Sequence, residues 1–140
     1  MADTFTPADR SRIMAAIRSQ DTKPELIVRR VVHRLGYRFR LHDRTLPGTP
    51  DIVLRRHRKI INVHGCFWHV HSCQRHRKAP VTRAGYWLAK RAGNAARDRK
   101  NSAALRRRGW DVLVVWECTT RDIPKLTPRI TSFLLGPPAE

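Results

Sequence analysis

Segments of helical period alternate with short β-rich runs, and that alternation predicts a small α/β sandwich. Two features carry the prediction. Ile27, Val28, Val31, Val32 and Leu35 recur at the spacing that lines one face of a helix. Asp51 to Leu54, Lys59 to Val63 and the apolar run between Trp110 and Trp116 have the length and β-branched content of strands.

The elements follow in order along the chain. Thr6-Pro7-Ala8-Asp9 supplies an N-cap, a first-turn proline and an acid at N3, opening a helix to about Ser19. Thr22-Lys23-Pro24-Glu25 has the capping-box pattern for a second helix, and Gly36 is its natural stop. Tyr37 to Leu41 alternates apolar residues with arginine, as a strand does, and Leu46 to Pro50 is a turn. Asp51 to Leu54 and Lys59 to Val63 are joined by a basic turn, either as a hairpin or as neighbouring strands. Residues 64–80 are irregular. Thr82 to Arg108 reads as a helix with a possible break at Gly93, closed by Gly109. The run from Trp110 to Trp116 is the most apolar strand and is expected at the centre of the sheet. Pro124 to Leu135 forms a last helix.

Composition narrows the function. The 140 residues hold 29 Lys+Arg against 11 Asp+Glu, a net charge of +18, which points to a polyanionic partner, nucleic acid first. No apolar run reaches the ~18 residues of a membrane span. MADTFTPADR has early acids and no apolar core, so it does not read as a secretory signal. A cytoplasmic protein with no membrane partner is expected, and its three cysteines are then reduced thiols open to metal.

Three constellations carry chemistry. Cys66, Cys73 and Cys118 supply three thiolates for a tetrahedral structural zinc, and a nearby histidine must complete the set. His71, two residues from Cys73, is close enough to do so, although the spacing is not the usual zinc knuckle. Reduced buried thiols among solvated histidines are the simpler alternative. Asp51 opens a strand with His64 at the end of the next, an arrangement that can hold a divalent cation against a phosphate; alone, such an acid is more often a turn residue. Residues 74–108 carry twelve Lys/Arg and one acid, Asp98, with Tyr86 and Trp87 among them. That density favours a phosphate-contacting surface with apolar wedges over a solvated helix face.

Met14 to Ile17, Leu46-Pro47-Gly48-Thr49-Pro50-Asp51-Ile52-Val53, His64-Gly65-Cys66-Phe67-Trp68-His69, Tyr86-Trp87-Leu88, Asn94 to Asp98 and Val115-Trp116-Glu117-Cys118 together resemble the very-short-patch (Vsr) mismatch repair endonucleases. The resemblance runs from about residue 6 to 134. It implies a restriction-endonuclease-like three-layer α/β sandwich with a small mixed sheet and a zinc-stabilised loop, as a single domain over 1–140 with the helix at about 6–19 as a DNA-contacting arm. It also implies magnesium-dependent nicking of double-stranded DNA 5′ of the T in a T·G mismatch left by deamination of 5-methylcytosine.

Carried over by position, Asp51 and the main-chain carbonyl of Val63 would hold Mg²⁺, His69 would be the general base, and His64 would assist at the metal or scissile phosphate. Cys66, His71, Cys73 and Cys118 match the zinc ligands. Phe67, Trp68 and Trp87 match aromatics pushed into the duplex, and Met14 and Ile17 match minor-groove contacts. Asn94, Arg97 and Arg99 are further candidates for DNA contact. The chain would act as a monomer, with mismatch-repair proteins as further partners. The acid-x-Lys pair of many such nuclease folds is missing, since positions 63 and 65 are Val and Gly, so a histidine is the side chain left to activate water near neutral pH. The rival readings are a non-enzymatic zinc-stabilised DNA-binding module and a basic RNA- or ribosome-associated protein.

Overall fold

The computed structural model describes residues 22–66 and 84–136, with side chains left undescribed at 84, 85, 87 and 88. Its elements are α1 (Lys23–Arg34), β1 (Arg40–Leu41), β2 (Ile52–Leu54), a 3₁₀ turn (Arg55–His57), β3 (Lys59–His64), α2 (Ala84–Arg107), β4 (Asp111–Trp116), α3 (Glu117–Thr120) and α4 (Ile123–Leu135). The expected helix at about 6–19 lies outside the described residues.

The strands form one mixed sheet in the order β1-β2-β3-β4, antiparallel except for the parallel pair β3–β4. The two β-rich runs thus form a hairpin, turned by the 3₁₀ segment and by Arg58 in the left-handed region at φ 56°. Alternation along the strands builds two cores. Ile52, Leu54, Ile61 and Val115 pack with Val28, Val31 and Val32 of α1 and with Leu126, Ile130 and Leu134 of α4. Val53, Ile60 and Val112 pack with Leu105 of α2 and Trp110. Helices therefore cover both faces.

Three sequence expectations change. β4 is at an edge among the described residues, not at the centre; its apolar run reflects cover on both faces rather than neighbours on both sides. α2 continues unbroken through Gly93, because one glycine costs only about 1 kcal/mol against 24 residues of helix. The strand expected over Tyr37 to Leu41 shortens to two residues, while Tyr37 and Phe39 turn to the α1–α4 core.

The loop between β1 and β2 delivers Asp51 to the sheet. Asp43 accepts the Thr45 N–H at 2.9 Å and the Thr45 hydroxyl, and pairs with Arg55; the Thr45 bonds and then Arg55 hold its carboxyl below the usual carboxylate range. Gly48 has φ +77°, and a Cβ there would meet Asn101 Nδ2 of α2 at 2.7 Å and Asn101 Cβ at 2.9 Å. Gly48→Ala is therefore expected to lower stability by about 1–3 kcal/mol, through left-handed strain and displacement of the loop from α2. Denaturant unfolding checks this; an unchanged midpoint contradicts the close approach.

Candidate metal and nuclease centre

Asp51 sits immediately before β2, where the hairpin brings it beside β3. Its N–H donates to Asn62 Oδ1 at 3.1 Å, and its Oδ2 accepts the Val63 N–H at 2.7 Å. A residue's N–H and C=O point to the same side of an extended strand, so the Val63 carbonyl faces the Asp51 edge too.

Glu25 reaches the same place from α1. Thr22 is the N-cap of that helix, but its side chain makes no cap bond, so the expected capping box does not form. Glu25 is instead buried at 5% exposure and points inward. Its Oε2 accepts from Arg29 Nη2 at 2.8 Å and lies 3.0 Å from His42 Nε2. Glu25, His42 and Asp51 each offer one potential ligand atom, and these atoms lie within 4.8 Å of one another. The donor set fits a hard divalent cation: two carboxylates in contact, partly desolvated, beside a strand carbonyl.

Electrostatics agree with that fit. Burial, and then the adjacent Glu25 charge and its hydrogen bond, push the Asp51 carboxyl up to about 7, while the Val63 N–H and Arg29 restrain the rise. A metal-free folded chain thus keeps a proton that an unfolded Asp, at about 3.8, has released. The folded state then binds more protons than the unfolded state between those values, so its stability falls as pH rises through that window. Asp51→Asn should flatten the dependence. Thermal unfolding between pH 5 and 8 without added divalent cation reads it, and parallel curves for the two proteins would count against a buried carboxylate pair.

A second group lies at the far ends of β3 and β4. α2 turns a mainly polar stripe inward, with Arg91, Asn94 and Ser102 buried ahead of Leu105 and Asp98 half-buried on the same stripe. This brings Asp98 Oδ2 to 3.7 Å from His64 Nδ1, and His64 rests edge-on against Trp116 at 5.3 Å. An open cleft lined by His64, Asp98, Arg99, Ser102, Arg106 and Trp116 runs along this seam. α2 exposes Arg97, Arg99, Lys100, Arg106 and Arg107 to solvent, Arg99 and Arg106 at the cleft. Asn94 is buried and accepts from Arg97.

The parallel register pairs residues 52 apart, Lys59 with Asp111 through His64 with Trp116. Extended two residues, it sets Cys66 opposite Cys118, and the Cys118 N–H does point to Cys66 Sγ at 3.4 Å. Met14, Ile17, Phe67, Trp68, His69, His71 and Cys73, and the side chain of Trp87, lie outside the described residues.

Of the sequence candidates, the structure brings Asp51 to Val63 and Cys66 to Cys118. Sequence reasoning missed Glu25, His42, Arg29 and the pairing of Asp98 with His64. Glu25 had a signal, an acid three residues after a threonine, that also fits a cap; the others join segments far apart in the chain.

Comparison with known proteins accords with this architecture. The family model "DNA mismatch endonuclease Vsr" matches residues 2–75. A type II nicking enzyme, V.XorIIP of Xanthomonas oryzae, is 46% identical over 134 residues, covering 96% of this chain and 98% of that protein. The DNA mismatch endonuclease Vsr of Escherichia coli is 44% identical over 127 residues, covering 91% of this chain and 81% of its own length. The type II nicking enzyme V.NmeAIP of Neisseria meningitidis is 41% identical over 122 residues, covering 87% and 86%. A family model over more than half of the residues, and relatives this similar along nearly the whole chain, place it: the chain belongs to the Vsr DNA mismatch endonuclease family.

Proposed function

We propose that this chain is a DNA-nicking hydrolase that cuts one strand of double-stranded DNA 5′ of the T in T·G mismatches left by deamination of 5-methylcytosine, with Mg²⁺ as catalytic cofactor. The observation that carries the reading is the convergence of two partly desolvated carboxylates, Asp51 and Glu25, with oxygens within 4.8 Å of each other, in a member of a mismatch-endonuclease family.

Asp51, the Val63 carbonyl and Glu25 would hold the cation. When bound, Mg²⁺ polarises the scissile phosphate and offsets the charge that develops on it. His69 takes the proton from the attacking water. His64, oriented by Asp98 and the Trp116 edge, serves the scissile phosphate from the β3 end. Cys66, His71, Cys73 and Cys118 bind one structural zinc; the approach of Cys66 to the Cys118 backbone supports it, and the metal would fix the loop that carries His69. Phe67, Trp68 and Trp87 enter the duplex at the mismatch, where unstacking costs least, while Met14 and Ile17 of an N-terminal arm meet the minor groove. Arg97 and Arg99 belong to the DNA-facing side of α2, and the buried Asn94 serves that side by accepting from Arg97. The fold is restriction-endonuclease-like, one domain over residues 1–140, acting as a cytoplasmic bacterial monomer. No described helix is long and apolar enough to cross a membrane.

A nicking assay across matched and mismatched duplexes, with and without Mg²⁺, tests the reading. The expected product is a single nick 5′ of the mismatched T, only with Mg²⁺. Tight binding without cleavage of any duplex would leave a DNA-binding module instead. Native mass spectrometry of the same preparation should find one zinc per chain, and full activity from zinc-free protein would refute the zinc assignment.

A further inference from the structure

His42 bonds to both residues of the carboxylate pair, to the Asp51 main chain and to the Glu25 side chain. It follows β1, and its N–H donates to the Asp51 carbonyl at 3.1 Å, extending the β1–β2 ladder by one bond. Its φ is +49°, a left-handed conformation that side chains other than glycine adopt at a cost. That backbone accompanies a side chain that is 11% exposed, with Nε2 3.0 Å from Glu25 Oε2. With a carboxylate as partner, Nε2 carries the hydrogen and donates it. Arg29, one turn along α1 from Glu25, donates to the same oxygen at 2.8 Å. Both donors grip Oε2 of a carboxylate that also interacts with Asp51. A main-chain bond to one acid and a side-chain bond to the other tie the spacing of the two carboxylates to one residue.

We propose that His42 is a positioning residue that sets the distance between the Glu25 and Asp51 carboxylates and thereby the affinity of that pair for a divalent cation. The proposal rests on the reading that Asp51 and Glu25 hold the cation. His42 acts through Glu25 rather than on the metal: its donor nitrogen is engaged by Oε2, and Arg29 lies 3.5 Å from that nitrogen. Partners of this kind, one step removed from the metal, are worth roughly 10–100-fold in metal affinity.

Two substitutions separate position from mere bulk. His42→Asn suits the left-handed backbone, but its amide is too short to reach Glu25. His42→Gln places an amide N–H close to where Nε2 stood. Mn²⁺ binding to zinc-loaded, full-length protein without DNA, titrated by electron paramagnetic resonance, should weaken by about tenfold or more in His42→Asn. It should return to within about threefold of wild type in His42→Gln. Affinity for a T·G duplex without added divalent cation should not change. Pulsed resonance of the bound Mn²⁺ should show no imidazole nitrogen coupling from His42.

If His42→Asn does not fold, His42→Gly, which takes φ +49° without strain, replaces it. Equal Mn²⁺ affinity in all variants, or failure of Gln to rescue, overturns the role of His42. A His42 nitrogen coupling makes it a ligand and overturns positioning. Wild-type protein whose Mn²⁺ binding is absent, or survives Asp51→Asn undiminished, overturns the cation reading itself and the proposal with it.

Discussion

Asp51→Asn is expected to abolish nicking of a T·G duplex while leaving affinity for that duplex intact. The substitution keeps the volume and one oxygen, so the Val63 N–H retains an acceptor and the hairpin its geometry. It removes the charge on which cation binding depends. A cation at a phosphoryl centre supplies several kcal/mol of transition-state stabilisation, so its loss lowers the rate by about three orders of magnitude or more. Binding draws on a different resource, the +18 charge and its release of counterions from phosphates. Removing one negative charge beside that surface does not weaken it. Single-turnover nicking and fluorescence anisotropy, run on the same preparation, decide the matter. A variant that loses binding and cleavage together assigns Asp51 to the fold; one that still nicks at the wild-type rate removes it from the site.

His69→Ala is expected to slow single-turnover nicking by roughly two to four orders of magnitude, the usual worth of a general base. The imidazole must be neutral to accept a proton, so the wild-type rate should rise with pH as an imidazole loses its proton, and that limb should vanish in the variant. Asp51 titrates in the same window when no cation is bound. The two are separable, because a bound cation favours the ionised carboxylate and so moves the Asp51 limb to lower pH as Mg²⁺ rises. The limb that persists at saturating Mg²⁺ and vanishes in His69→Ala belongs to His69. A near-wild-type rate with an unchanged profile in His69→Ala would make that histidine a bystander to the chemistry.

Legibility in the sequence followed the range over which each feature is encoded. The α1 stripe and the Gly36 stop are written within one helix and were readable by period. Asp51 was readable as a strand-opening acid near a histidine, because the hairpin that positions it is local. The edge placement of β4 was not: apolar content reports how many faces are covered, while the number of neighbouring strands depends on partners elsewhere in the chain. Glu25 was visible but ambiguous, since an acid at N3 after a threonine satisfies a capping box and a buried site equally well on paper. Only tertiary packing, which leaves Thr22 without a side-chain cap bond and turns the carboxylate inward, separates the two. Asp98 carried no signal toward His64, because a single acid in a basic helix has no local mark of the face it takes.

The register that sets β3 against β4 at an offset of 52 residues also separates the parts of the site by the length of chain each must enclose. Asp51 and Val63 are 12 residues apart and Glu25 and His42 are 17 apart, so the carboxylate half closes over short loops. Cys66 meets Cys118 only after the whole of α2 is enclosed. Loop-closure entropy grows with the length enclosed, and contacts distant in sequence are the slow ones to form. A charge of +18, by contrast, attracts DNA in any conformation of the chain. Charge-driven affinity for DNA is therefore available before any loop closes, whereas the approach of Cys66 to Cys118 is made only once the 52-residue segment between them has closed.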